Sequence, residues 1–189
     1  MCRGSLIASL PEIVLTKGAY SGINLSLSSG FFLPGSEVAI LQGLISQSTG
    51  QARAEGSKKG LTDCGLKVVA EQTAEWDRAK GLAVTENILT GNPNIKGIFG
   101  SNDNMALGAA EAVKAAARTD ITIVGFDANP DAAAAILAGD MAATIAQAPA
   151  NMGGFGIQAL VDLKAGKTLD AWIDTGTVLV TKDNAEQYK

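Results

Sequence analysis

From Glu37 onward, short β-branched runs alternate with longer helical segments, and most of the helical segments close on a glycine. The apolar runs are residues 37–41, 66–70, 95–99, 121–126, 142–146 and 177–180. Between them lie 48–64, 77–90, 103–117, 130–138 and 151–164, each with room for about three helical turns. This rhythm predicts a β-α-β-α chain. Gly65, Gly91, Gly139 and Gly166 follow the helical patterns, where a left-handed residue satisfies the last carbonyls without a Cβ penalty. The starts agree: Asp77 and Asn102 precede apolar-periodic segments, and Asn129-Pro130 supplies an acceptor followed by proline at the first helical position. Parallel strands need crossovers of about a dozen residues, so the fold class is α/β, a mostly parallel sheet with helices on both faces.

Residues 1–36 do not share this grammar. They hold Gly4, Gly18, Gly22, Gly30 and Gly35 with Pro11 and Pro34, and residues 26–30 read as loop, with one short strand expected at most over 12–16. This stretch is expected to be a poorly structured N-terminal segment.

Composition narrows the chemistry. A chain of 189 residues supports one domain, or one and part of another. With 47% hydrophobic and 18% charged residues it is globular rather than disordered. Lys plus Arg is 15 and Asp plus Glu is 19, a net charge of −4 with no concentrated basic patch, so no nucleic-acid partner is expected. Histidine is absent and the cysteines are Cys2 and Cys64 alone, which removes the usual zinc sites and the Ser-His-Asp and Cys-His couples. The two cysteines could pair in an oxidising compartment, but with Cys2 in a loose terminus the plainer expectation is a free Cys64 near a helix end. No apolar run reaches the ~18 residues of a membrane span, and Pro11 and Glu12 interrupt the opening before a signal-type apolar core forms. Neither direct membrane insertion nor a visible export signal is expected.

In open α/β sheets ligands bind outside the carboxyl ends of the strands. After 37–41 come Gln42-Gly43 and a polar loop reaching Gln51 and Arg53, and after 66–70 come Gln72, Glu75, Trp76 and Asp77. The later runs are followed by Ser101-Asn102-Asp103, by Asp127 and by Gln147. The set offers an aromatic plate, amides and carboxylates, but no nucleophile. Carboxylates accept from adjacent hydroxyls, amides donate and accept together, and an indole covers the C–H face of a ring, which suits a polyhydroxylated ligand. Each residue also has a plainer role: Asn102 and Asp127 as helix caps, Trp76 as core, Gln147 as a strand end, and Arg53 with Glu55 as a solvated helix face. No P-loop, Gly-x-Gly-x-x-Gly turn or Gly-x-Ser-x-Gly elbow occurs, so neither a cofactor nor an enzyme is expected.

Certain runs carry a family resemblance: Ile40-Leu41-Gln42-Gly43, Ala52-Arg53-Ala54-Glu55-Gly56, Trp76-Asp77-Arg78-Ala79-Lys80-Gly81, Asn102-Asp103-Asn104-Met105-Ala106-Leu107-Gly108-Ala109, Val124-Gly125-Phe126-Asp127 and Ala143-Thr144-Ile145-Ala146-Gln147. In this order they resemble the ribose-binding-like, type I periplasmic sugar-binding proteins of bacterial ABC importers, from about Glu37 to the C-terminus. The resemblance implies that Trp76 stands where an aromatic sandwiches the sugar, and that Asn102, Asp127 and Gln147 hydrogen-bond its hydroxyls, Gln147 at the hinge. The family's arginine before the first helix falls at Gln51 in this register, with Arg53 one helical step on, and Ala128 stands where glycine is frequent. The family has two lobes, and this chain matches the second. The first lobe is expected to be missing through truncation or a frame shift. The implied division is a sugar-binding lobe over 37–147, a crossing segment and helix over 148–174, and a return crossing strand and tail over 175–189. The helix stripe of Met152, Phe155, Ile157, Leu160, Val161 and Leu163 would pack on the absent lobe, and is expected here to be exposed or covered by 1–36 or a second copy. The implied function is the substrate-binding component of an importer, taking a monosaccharide or sugar alcohol, with a membrane permease as partner and a periplasmic or extracytoplasmic location. The alternative is the effector-binding lobe of a lac repressor family regulator, for which residues 1–36 lack the DNA-binding helices.

Overall fold

The computed structural model describes residues 32–171 and 173–189. Its sheet is built around β1 (Glu37–Gln42), which runs parallel to β2 (Lys67–Thr73) on one side and to β3 (Gly97–Gly100) on the other. β4 (Thr122–Val124) extends it in parallel beyond β3, giving the order β2-β1-β3-β4. β5 (Thr144–Gln147) lies along β4 through parallel bridges at Val124–Ala143 and Asp127–Ala146. β6 (Thr177–Val180) returns antiparallel on β5, with Thr144 opposite Val180.

The alternation of side chains along β1 decides how the layers form. Val38 and Ile40 join one buried cluster with Phe99, Val124, Phe126, Ile145 and Leu61, the last from α1 (Ser48–Asp63). Ala39 and Leu41 point the other way, into a cluster with Ile98 and Ile123 and with buried residues of α2 (Arg78–Gly91), α3 (Asp103–Ala115) and α4 (Pro130–Ala138). Two-residue periodicity sends successive side chains to opposite faces, so both faces carry helices. The α/β class and the mostly parallel sheet agree with expectation. Because β1 feeds β2 on one side and β3 lies on the other, the strand order reverses between β1 and β3, the place where open α/β sheets bind their ligands.

Some boundaries differ. β2 runs three residues past the expected end, to Thr73, because it is an edge strand whose polar end keeps pairing with Gln42 while its outer side meets water. β4 stops at Val124, where the chain turns toward the left-handed pair Asp127 and Ala128. Gly65, Gly139 and Gly166 adopt φ of 77°, 87° and 76° as expected of helix stops, but Gly91 is the last residue of α2 and is followed by Asn92 at φ −133°. Cys64 is disulfide-bonded rather than free. α5 (Pro149–Lys164) buries none of its residues, and Ile157 and Leu160 of its stripe are 65% and 64% exposed. A short 3-10 turn, Ala185–Tyr188, closes the described chain and packs Ala185 into the core. The strand expected over 12–16, like most of the segment 1–36, lies outside the described residues. Among the described residues no helix is long and apolar enough to cross a membrane, and no three His, Cys, Asp or Glu residues group as a metal site.

Candidate functional site

Four of the five expected site residues sit at the carboxyl end of the sheet. Asn102 follows β3, Asp127 follows β4, Gln147 ends β5, and Trp76 stands in the turn between β2 and α2. They form two hydrogen-bonded pairs, Asn102 with the Trp76 carbonyl and Gln147 with the Asp127 carboxylate, and Arg53 lies between the pairs, bonded to Asp127 and near the Trp76 ring.

Asp127 is the centre. Its Oδ1 accepts from Gln147 Nε2 at 2.6 Å and from Arg53 Nη2 at 3.1 Å. Its Oδ2 has no donor among the described residues, and the side chain is 26% exposed, so the carboxylate keeps acceptor capacity for a ligand. It does not cap α4: the cap position is Asn129, whose side chain makes no capping bond. The backbone of Asp127 and Ala128 is left-handed, at φ 116° and 57°, which costs about 1 to 3 kcal/mol per non-glycine residue and persists only where the surroundings over-determine it. The value at Ala128 accounts for glycine being favoured there.

Arg53 corrects the expectation of a solvated helix face. It is 8% exposed, with Nη1 donating to the carbonyl of Ser101 at 2.8 Å. Its guanidinium carbon lies 4.0 Å from the centre of the Phe126 ring and 5.5 Å from that of Trp76, within range of cation–π attraction. The cause is helical phase. The buried positions of α1 are Gly50, Arg53, Ala54, Gly56, Ser57, Gly60 and Leu61, so Arg53 projects from the face turned to the sheet. Gln51 is exposed, and its Nε2 donates to the carbonyl of Ile45 at 2.9 Å, outside the cluster. The cation is two residues further along than the register at Gln51 implied. Only the spacing of small residues along α1 could have signalled it.

Trp76 is half-buried, and its Nε1 donates to Gln47 Oε1 at 2.8 Å. The ring lies over Gly43, where a Cβ would overlap the indole, so the glycine after β1 makes room for the plate. Glu75 and Trp76 are also left-handed, at φ 53° and 66°. Asn102 is both cap and bridge. Its Oδ1 accepts from the Met105 backbone N–H at 2.9 Å, while Nδ2 donates to the Trp76 carbonyl at 3.2 Å. One of its two amide hydrogens is left over.

Behind these lies Asp103, fully buried. Its carboxylate accepts from the Thr144 hydroxyl and, at 2.7 Å, from the backbone N–H of Asn129. Burial pushes its pKa up to about 6, the charge of Asp127 adds to the rise, and the two hydrogen bonds oppose it. Asp103 read in the sequence only as a neighbour of Asn102.

Together these residues offer a carboxylate oxygen, a buried guanidinium, two partly used amides and an indole face along one crevice. That is equipment for binding hydroxyls and a C–H face, with no nucleophile placed against a base. These residues stand at the topological switch point of an open α/β lobe, the place where such folds bind ligands. More particularly, residues 26–168 match the periplasmic binding protein domain family, and the chain belongs to it. It is 33% identical over 180 residues to the ribose import binding protein of Escherichia coli, which covers 95% of this chain and 60% of that protein. An alignment of that length reaches well into residues 1–36. It is 44% identical over 138 residues to the D-allose-binding periplasmic protein of Escherichia coli, covering 71% of this chain and 44% of the relative. Among solved structures, a periplasmic solute-binding protein from Actinobacillus succinogenes with bound D-allose superposes with a TM-score of 0.74 at 35% identity, covering 82% of this chain and 55% of that one. A Caulobacter myo-inositol-binding protein bound to myo-inositol gives 0.72 at 36% identity, with 82% and 54% covered. The chain thus spans about half the length of the relatives it matches, and these relatives are binding proteins.

Proposed function

We propose that this chain is the sugar-recognising half of the solute-binding component of an ABC importer, taking a monosaccharide or sugar alcohol and transforming nothing. The observation that carries the reading is the convergence on Asp127. Arg53 and Gln147 occupy one oxygen of its carboxylate and leave the other for a hydroxyl, beside the Trp76 plate. Relatives named for ribose, D-allose and myo-inositol support the polyol class. In this proposal Asp127, Asn102, Gln147 and Arg53 bind hydroxyls, Trp76 covers the ring, and Gln51 does not touch ligand. A hydrogen bond from a sugar hydroxyl to the charged carboxylate contributes about 1.5 to 3 kcal/mol.

The division into 37–147, 148–174 and 175–189 follows from the same reading. The first carries the half-site, the second a helix whose exposed stripe would seat on a first lobe, and the third the returning strand β6. The permease partner and the extracytoplasmic location belong to the whole assembled binding protein. Titration calorimetry across pentoses, hexoses and polyols tests the binding claim. Heat from at least one of them is expected, and silence across the panel from folded protein would overturn it.

A further inference from the structure

We propose that Asp103 is the positioning residue of this site, holding Asp127 and Gln147 in register only while its carboxylate is ionised. The geometry is a clamp on three elements. Asp103 begins α3, immediately after Asn102, and its backbone N–H donates to the Phe126 carbonyl at 2.8 Å. Its carboxylate holds the Asn129 N–H at 2.7 Å, two residues beyond Asp127, and the Thr144 hydroxyl, three residues before Gln147. Thr144 Oγ1 in turn accepts from the Ala128 N–H at 3.3 Å. The left-handed turn at Asp127 and Ala128 is therefore fixed from both sides by one buried carboxylate and its hydroxyl partner. The space is tight: a Cβ on Gly125 would collide with Asp103 Oδ1.

An ionised carboxylate accepts both hydrogen bonds here; the protonated acid keeps the Asn129 N–H on Oδ2 but must donate from Oδ1 to Thr144 Oγ1, which reverses that bond and turns the buried Thr144 hydroxyl hydrogen away from Asp103. Proton uptake thus rearranges the Thr144 side of the clamp, the side that also holds the Ala128 N–H next to Asp127. The charge acting on Asp103 is that of Asp127, from the loop after β4, which favours protonation; the nearby cation of the site, Arg53 from α1, is engaged on Asp127. β4 and β5 present no ionisable side chain. Because burial sets the midpoint near 6, the clamp loosens under mild acid.

This inference rests on the sugar-binding reading for its consequence, but its test does not need a sugar. In amide NMR of the full chain between pH 7.5 and 5, the Asn129 backbone N–H, the Asp127 backbone N–H and the Gln147 side-chain amide should move with one midpoint near 6. The transition should vanish in Asp103→Asn. No transition near 6, movement of Asn129 alone, or a transition that survives in Asp103→Asn would overturn the proposal. Should Asp103→Asn fail to fold, Thr144→Val supplies the second variant. It removes the hydroxyl partner and should displace the wild-type midpoint while separating the Gln147 signal from that of Asn129, and an unchanged, still concerted transition would overturn the clamp. With D-ribose or D-allose as probe, affinity should fall about tenfold from pH 7.5 to 5, as about one site in eleven then stays ionised. Binding that is independent of pH while Asn129 titrates defeats the positioning role and leaves the sugar reading intact. Absence of any sugar response counts against the sugar reading alone.

Discussion

Arg53→Met removes the buried cation while keeping most of its stem. Two hydrogen bonds disappear, to Asp127 at 3.1 Å and to the Ser101 carbonyl at 2.8 Å, together with the stacking on Phe126. Hydrogen bonds involving a charged group contribute about 1.5 to 3 kcal/mol each, and a desolvated cation–π contact about 1 to 2 kcal/mol. Two effects reduce the sum. Asp127 is 26% exposed and can recover water, and Gln147 still donates to it. The methionine also keeps apolar contact with the Phe126 ring. A net loss of about 2 to 4 kcal/mol is expected, which for a chain of this size lowers the thermal midpoint by about 5 to 15 °C. Circular dichroism melts with matched urea titrations measure it, with Arg53→Lys as a companion that keeps the charge but not the fork and should recover only part of the loss. A methionine variant within about 0.5 kcal/mol of the parent would mean that the guanidinium stands in water, and the buried Arg53–Asp127 pair would be refuted.

Further outcomes follow from the same geometry. Asp127→Ala should abolish sugar binding and also destabilise by about 3 kcal/mol, because it leaves the Arg53 cation buried without its partner, whereas Asp127→Asn keeps an acceptor and should lose affinity more than stability; equal midpoints for the two variants would contradict this. Gly43→Ala drives a methyl into the Trp76 indole, so in a Trp172→Phe background the emission should shift to the red, and an unchanged spectrum would place the ring elsewhere. Replacing Ile157 and Leu160 of α5 by lysine should change the unfolding free energy by less than about 1 kcal/mol, since both are exposed; a loss of several kcal/mol would mean that the stripe is packed. The Asp103 pKa lies above its unfolded value of 3.8, so the folded chain binds the extra proton. Its contribution to stability is full below about pH 4 and is lost as pH rises through 6, a change on the order of 2 to 3 kcal/mol in urea titrations that Asp103→Asn should flatten.

The strands and helices were legible because their punctuation is local. Asn129-Pro130 opens α4 and Gly139 closes it at φ 87°, and each signal acts within one turn of chain. Gly91 misled because glycine in the last turn of a helix and glycine just after it look alike in sequence. The site was legible to the extent that its residues follow strands: Trp76, Asn102, Asp127 and Gln147 all do. Arg53 escaped because its neighbours on the buried face of α1, Gly50, Ala54, Gly56, Ser57 and Gly60, are small residues that do not announce an apolar stripe, Leu61 alone being large and apolar, and a long cation among them reads as solvent-facing. The clamp at Asp103 was illegible for another reason. Its partners, Asn129 and Thr144, lie 26 and 41 residues away and meet it only once β4 and β5 are aligned. The left-handed turns at Glu75-Trp76 and Asp127-Ala128 carry no glycine, so nothing local encodes them.

Polyol binding at the ends of β1, β3, β4 and β5 is what gives Asp127, Arg53 and Trp76 their proposed roles. Its most direct test is an amide and side-chain NMR titration of the chain at pH 7.5 with D-allose, D-ribose and myo-inositol, a method that registers weak binding. Saturable shifts are expected at the Arg53 guanidinium, the Trp76 indole N–H, the side-chain amides of Asn102 and Gln147 and the backbone of Asp127, with Gln51 unmoved. Shifts confined to other surfaces, or none with any of the three at millimolar concentration, would contradict it.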